Sequence, residues 1–562
     1  MSTLRKIKKA LRGEVKLTTA ALETLRRTRV AFQTRKERAS LDPLNLCSGT
    51  TPPIEWRRDP RSGYLWPLDY HRDIKLVRTD GSDIRVLWEL NRLGHFLPLA
   101  GAYASTHDER YSAEFITQLK SWSEQNPYGR GPNWTCAMEV ALRAMNLLAA
   151  FEVFRQSPQM PVEFFLQLLQ QHGNYIRRNL EFSYLATSNH YLSDVVGLLW
   201  LGLLLPELRD ATSWRDFGLD QMLREMDKQV LPDGADFEAS TGYHRFVTEL
   251  FLYSFLLCRA NHVAIAERYW SRLHQMLLYI RAYLRPDGFA PLIGDTDGGQ
   301  VLPFVRRRAD DHAYLLNILK LEIQPAGSQA FPHAGTYIMR HRDLYLCFNA
   351  SDAGINGRGS HGHNDVLSIE VSAGGRAIIV DPGTYVYSAD LAKRHEFRST
   401  AYHSTVQIDG LEQNTICVDT PFVIGNEAKP RVLEWSTSDD FDKVVGEHYG
   451  YPVTHRRTVT FDKRARVWVI EDEFFGDGEH VYEARFHFAP GLDVRVNRAS
   501  VEAGGLVVAL LNSDIEPVLE NQPVSRDYGE MSDAISACWR IEGRVSKLSW
   551  KVCFTGLQDL QD

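Results

Sequence analysis

Between about residues 85 and 325, apolar side chains recur every three or four positions, the spacing of a helix with one buried face. The runs VLWELNRLGHFLPLAGAYA, TCAMEVALRAMNLLAAFEVF, VEFFLQLLQQHGNYIRRNL, NHYLSDVVGLLWLGLLL, VTELFLYSFLLCRA and AERYWSRLHQMLLYIRAYL all read this way. Short polar connectors such as LPDGADFEAST and RPDGFAPLIGDTDGG supply turn residues between them. At QPAGSQAFPHAG, near 325–335, the period shortens to two. Alternating segments follow, among them TYIMR, LYLCFNA, VLSIEVSA, RRTVTFD, RVWVIEDEF and KLSWKVCF, the pattern of antiparallel strands. The expected class is α+β and multidomain: an α/α toroid or incomplete helical barrel, then an antiparallel β-sandwich. The reading divides the chain into a basic helical arm at 1–40, a toroid at 41–330 and a β domain at 331–562 that carries the metal site.

With 562 residues, 44% of them hydrophobic, the chain can bury more than one large core. Its net charge of −7 offers no nucleic-acid signature, although it permits a locally basic surface for an anionic ligand. The seven cysteines are scattered without any CxxC, as expected of reduced, mostly buried thiols. GLLWLGLLLPE is too short to span a bilayer and reads as a core helix. Residues 1–40 hold twelve Lys or Arg and three Glu, so this arm reads as a solvated outer helix, with contact to an anionic membrane or polymer as the functional alternative. No apolar signal-peptide core is present, which makes the cytoplasm the expected compartment and the periplasm the alternative.

The densest chemistry lies between His361 and His403. His361 and His363 are two apart, and on a strand they would share a face. Asp381 ends the apolar run AIIV before Pro382 and Gly383, and His403 precedes STVQIDG. Two or three imidazoles and a carboxylate from separate strands suit a divalent cation, zinc above all; satisfied or surface histidines are the plainer alternative. In the helical half, SNHYL sets Asn189 and His190 at a helix start, where Asn189 could also be a simple cap. FEASTGYHRF gathers Glu238, Tyr243, His244 and Arg245 behind a Gly- and Asp-rich turn.

Taken together, NHYL, FEASTGYHRF, IGDTDGG, HGHND, VDPGTYVY and RSTAYHSTVQIDGLEQN resemble, in this order, the heparinase II/III-like family of polysaccharide lyases. The resemblance spans roughly residues 80–415. It implies an α/α toroid joined to an antiparallel β domain, and β-elimination of a uronate-containing acidic polysaccharide or oligosaccharide. By motif, it implies that Asn189 and His190 engage the substrate carboxylate, that Tyr243 transfers a proton and that His361 is the second catalytic group. Glu238, His244, Arg245, Tyr385 and Arg398 are the expected substrate contacts. His363, Asp381 and His403 are the implied zinc ligands, in a structural role. Elimination needs a base for the C5 proton and an acid for the departing O4. A tyrosine, titrating near 10 when unperturbed, suits the acid without any shift, so Tyr243 is read as acid and His361 as base, or Tyr243 as both.

Two other readings remain at this stage. An inverting glycoside hydrolase could use Asp236 or Glu238 with Asp295 or Asp297 as its carboxylate pair. A non-catalytic glycan-binding protein, acting in exopolysaccharide assembly, would grip a chain without cutting it. For either enzyme, Lys393, Arg394 and Arg398 are expected to lend positive potential to the substrate surface.

Overall fold

The computed structural model describes residues 54–321 and 327–555. The expected basic arm at 1–40 therefore lies outside the described residues. By internal contacts the chain divides into two compact units. The first takes the described residues up to Lys228, with Phe246–Leu273 and Gly299–Arg307. The second takes Gln229–Arg245, His274–Gly298 and the described residues from Arg308 onward.

The first unit is helical. Its elements are α1 (Ile84–Asn91), α2 (Phe96–Thr106), α3 (Glu109–Gln125), α4 (Ala137–Phe154), α5 (Val162–Arg178), α6 (Asn189–Leu204) and α7 (Ala211–Gln229), followed by most of α8 (Thr241–Ala260) and the start of α9 (Glu267–Tyr283). The run VLWELNRLGHFLPLAGAYA, read above as one helical stretch, forms two helices, because Leu93 adopts a left-handed φ of 58° between them. α4 and α6 are apolar on nearly every side, so they form the centre and pack on one another. Some polar groups inside this core are matched: Arg92 pairs with Glu139 at 2.7 Å, and Trp200 Nε1 donates to Ser254 Oγ at 3.0 Å. Among the described residues no helix is long and apolar enough to cross a membrane.

The second unit carries three antiparallel sheets. The first orders β1 (Gln329–Phe331), β2 (Thr336–His341), β3 (Leu344–Asn349), β4 (Ser368–Ala373) and β5 (Arg376–Ile379) as neighbours in sequence. β3 and β4 are buried along their whole length, which is why their sequences lack clean alternation. A three-residue strand, β6 (Val406–Ile408), precedes β7 (Arg431–Thr437), β8 (Phe441–His448), β9 (Thr454–Asp462), β10 (Val467–Phe475) and β11 (His480–His487). β12 (Val494–Asn497), β13 (Ser500–Ala503), β14 (Leu506–Leu510), β15 (Val518–Asn521), β16 (Ile535–Gly543) and β17 (Lys547–Phe554) complete the set. The largest sheet runs β12-β13-β14-β17-β10-β9-β8-β7, and the smallest β15-β16-β11-β6.

On β10, alternate residues Trp468, Ile470, Asp472 and Phe474 are buried, the two-residue period expected of a sheet with one solvated face. The buried carboxylate among them is fully engaged. Asp472 accepts from Arg457 Nε at 2.7 Å and Trp550 Nε1 at 2.9 Å, and lies 2.7 Å from His455 Nε2.

Candidate active site and metal centre

The catalytic candidates of the second unit gather on three loops and one helix start. Tyr243 sits in the first turn of α8, where Ser240 Oγ accepts its backbone N–H at 3.0 Å. The loop carrying Asp295 and Asp297 lies against that turn so closely that a Cβ on Gly242 would meet Asp295 O at 2.7 Å. Gly294, at φ +64°, makes the same approach from the other side, with Ala239 O and His361 O at 2.6 and 2.7 Å from an added Cβ. The HGHND segment lies in a loop before β4, not on a strand as the spacing predicts. Its two histidines still converge, because a single carboxylate holds both.

That carboxylate is Asp295. Its Oδ2 lies 2.8 Å from His361 Nδ1 and its Oδ1 lies 2.9 Å from His363 Nε2. Arg394, fully buried, also donates to both oxygens, one of them from Nη2 at 2.8 Å. Burial alone would raise the Asp295 carboxyl, but the Arg394 guanidinium and the bonds from both histidines outweigh it and hold the group well below the usual carboxylate range. Asp295 is thus an anchored anion that fixes the ring orientation of two histidines at once.

His361 stacks on Tyr243 with ring centroids 3.4 Å apart and planes within 14°. The exposed Phe422 ring packs against it in a T-shaped arrangement, with centroids 5.6 Å apart. His361 Nε2 faces Glu238 Oε2 at 3.4 Å, longer than a good hydrogen bond. The Tyr243 hydroxyl donates to Asp297 Oδ2 at 3.3 Å and lies 3.2 Å from the Tyr387 hydroxyl. Burial, then the negative charge of Asp295, push the Tyr387 phenol well above its ordinary value, so it stays a proton donor beside Tyr243.

His363, Asp381 and His403 are all buried, and their ligand atoms lie within 4.8 Å of one another. His403 Nδ1 lies 2.8 Å from Asp381 Oδ2, leaving His403 Nε2 without a hydrogen-bond partner; His363 Nδ1 is likewise unpartnered. Two buried imidazoles that each retain an unsatisfied nitrogen, beside a carboxylate, fit the donor set of a zinc ion. The contact of His363 with Asp295 is the carboxylate–histidine arrangement that orients such ligands.

Several expected substrate contacts take other places. His244 accepts the Asp236 N–H at Nδ1 and meets Met276 O at Nε2, and burial lowers it to about 4, so it is a neutral core histidine. Arg398 is fully buried and donates to Pro421 O and Val423 O, both at 2.6 Å. Arg394 is committed to Asp295 and Lys393 to Glu396, so this trio does not supply the positive surface expected of it. Glu238 is buried behind His361, and Arg245 is buried in α8. Tyr385 is half-buried at a left-handed φ of 62°, its ring near Phe397. Of the carboxylates of the hydrolase reading, Asp236, Glu238 and Asp295 are buried, and only Asp297 is partly accessible.

Asn189 and His190 belong to the first unit, in the first turn of α6, and Ser188 rather than Asn189 stands at the cap position. His190 Nδ1 lies 2.9 Å from Glu181 Oε2, and Cys136 Sγ is 3.9 Å from the same nitrogen. Sequence reasoning did not assign Asp295 its anchoring role, nor Tyr387 its place beside Tyr243, nor Cys136 and Glu181 theirs beside His190. The only available signal for the first two was their position inside IGDTDGG and VDPGTYVY.

Comparison with known proteins defines the class. The fold matches "Heparinase III" with a TM-score of 0.70 at 19% identity, covering 84% of this chain and 78% of that one. It matches heparan sulfate lyase HepC from Pedobacter heparinus with a TM-score of 0.59 at 22% identity, covering 87% and 80%. The architecture is therefore the lyase toroid followed by antiparallel sheets. In sequence, a heparin-sulfate lyase of Pedobacter heparinus is 26% identical over 491 residues, covering 81% of this chain and 71% of the relative. Family models for the heparinase II/III N-terminus and the heparinase II/III-like C-terminal region match residues 2–309 and 323–540. The chain belongs to the heparinase II/III family, and it is a polysaccharide lyase.

Proposed function

We propose that this lyase cleaves a uronate-containing glycosaminoglycan of the heparan sulfate type by β-elimination, with Tyr243 and His361 exchanging the protons. The observation that carries this reading is the stacked Tyr243–His361 pair, each ring held by its own carboxylate. Asp295 accepts a hydrogen bond from the Nδ1–H of His361, which leaves Nε2 to take up the C5 proton; Glu238, facing that nitrogen, stabilises the imidazolium that forms. The Tyr243 hydroxyl then delivers its proton to the departing O4. The Tyr387 hydroxyl donates to the phenolate that remains and stabilises it. Asn189 and His190 take the carboxylate role that the family motif implies, and neutralising that charge lowers the barrier to losing the C5 proton. One such preorganised donor contributes about 3–4 kcal/mol. His363, Asp381 and His403 would hold a zinc ion whose contribution, when bound, is to cross-link three segments of the second unit.

For the hydrolase alternative, Asp297 alone of the four candidate carboxylates is not buried, so no second accessible carboxylate pairs with it, and a binding protein has no use for a tyrosine–histidine pair with this proton wiring. Product chemistry separates the three. Incubation with a panel of uronate glycans is expected to yield ultraviolet absorbance from a new C4–C5 double bond. Reducing ends without that absorbance would indicate hydrolysis, and neither would indicate binding alone.

A further inference from the structure

The first unit contains a second cluster of metal-type donors, separate from the His363 centre. Cys136, Glu181 and His190 present ligand atoms within 4.8 Å of one another. Cys136 occupies the cap position of α4, and His190 lies in the first turn of α6. Glu181, on the segment before α6, is tethered by its own backbone N–H, which donates to Asp194 Oδ2 at 2.7 Å. Its Oε2 also accepts the Met138 N–H at 3.3 Å.

Three distances define the cluster: Glu181 Oε2 to His190 Nδ1 at 2.9 Å, Cys136 Sγ to Glu181 Oε2 at 3.6 Å, and Cys136 Sγ to His190 Nδ1 at 3.9 Å. A tetrahedral zinc ion, with bonds of about 2.3 Å to sulfur and about 2.0–2.2 Å to nitrogen and oxygen, separates such donors by about 3.4–3.6 Å. The sulfur–oxygen separation matches that range, the sulfur–nitrogen one exceeds it by about 0.3 Å, and the oxygen–nitrogen one, at hydrogen-bond length, falls short by about 0.5 Å. A simple histidine–glutamate pair needs only the first contact and does not require a thiol directed at both partners. Shifts of about 0.3–0.5 Å therefore bring the three atoms onto one triangular face of a zinc tetrahedron. The side chains of His190 and Glu181 retain 40% and 27% of their accessible surface, which provides a route of entry from solvent.

We infer that Cys136, Glu181 and His190 form a binding site for a thiophilic divalent metal ion of the zinc class, with water as the fourth ligand. Binding displaces the thiol proton and forms a metal–sulfur bond, and the proton leaves to solvent. The bound ion takes His190 Nδ1, the nitrogen that faces Glu181, so the ring can no longer carry the charge of an imidazolium. Where His190 serves the substrate carboxylate, as proposed above, occupancy inhibits turnover; this consequence rests on that proposal, while the site itself does not.

The test uses the full chain, stripped with a chelator and titrated with cobalt(II). A sulfur-to-cobalt charge-transfer band is expected in wild type and in His363→Ala, since the His363 centre has no sulfur ligand. The band is expected to vanish in Cys136→Ser, and Glu181→Gln is expected to weaken cobalt binding at least about 10-fold. A band that survives Cys136→Ser, or no band in wild type, overturns the site. For the consequence, zinc inhibition of glycan cleavage is expected to need at least about 10-fold more metal in Cys136→Ser than in wild type. If the band behaves as expected while zinc leaves turnover unchanged, the site stands and the role given to His190 falls.

Discussion

At the scale of single residues, the site depends on a buried anion with several cationic and donor partners. Asp295 serves Arg394, His361 and His363 simultaneously, so its removal strands a buried guanidinium and releases two rings. Asp295→Asn is expected to lower unfolding free energy by about 3–5 kcal/mol, measured by denaturant titration, because breaking a buried pair leaves its partner uncompensated. Activity should fall with it. The clustering of the histidines was legible, since HGHND and the AYHSTVQIDG run set them within a familiar motif order. The anchoring role of Asp295 was not, because a carboxylate in a Gly-rich turn looks the same whether it faces solvent or an arginine about a hundred positions away. The same reasoning explains Arg394 and Arg398. Charge is visible in a sequence, but the carbonyls and carboxylates that absorb it come from loops brought close only by folding.

At the scale of elements, the helix and strand periods match the observed order of helices followed by strands. They do not match the unit boundaries, since Gln229–Arg245 and His274–Gly298 group with the second unit, and the breaks were harder to see. Leu93 splits one apolar run into α1 and α2 by adopting a backbone conformation that its side chain does not advertise. HGHND forms a loop because its neighbours require close backbone approaches, with the added Cβ of Gly362 meeting Ala353 O at 2.7 Å. The Gly294 turn brings Asp295 under the start of α8; its positive φ disfavours a side chain, and the Ala239 and His361 carbonyls leave no room for one. Gly294→Ala is expected to destabilise the fold by about 1–3 kcal/mol through strain and overpacking. It should also lower kcat about tenfold by moving Asp295 away from His361, read from steady-state kinetics beside a thermal melt.

For the whole molecule, two buried sites of charge set the response to metal and acid. Chelation of wild type, or His363→Ala, is expected to lower Tm by at least about 5 °C in a melt, because the ion would tie three chain segments together. An unchanged Tm in both would remove the structural metal from the account. Asp472 provides the acid response. Burial would raise its carboxyl, but Arg457 and His455 outweigh this and hold it below the usual range. A folded pKa below the unfolded value means that the stabilisation is complete above about pH 5 and is lost as pH falls through about 4 toward the folded pKa. The acid limb of stability against pH should therefore be shallower in Asp472→Asn, which would also be less stable at neutral pH.

The central claim is that Tyr243 moves a proton during elimination. The most direct measurement is the rate at which double-bond absorbance appears from a uronate glycan with wild type and with Tyr243→Phe, both shown to be folded by circular dichroism. The account requires the variant to lose about 10²–10⁴-fold in kcat, the range set by removing a positioned acid. Wild-type rates in Tyr243→Phe would contradict it.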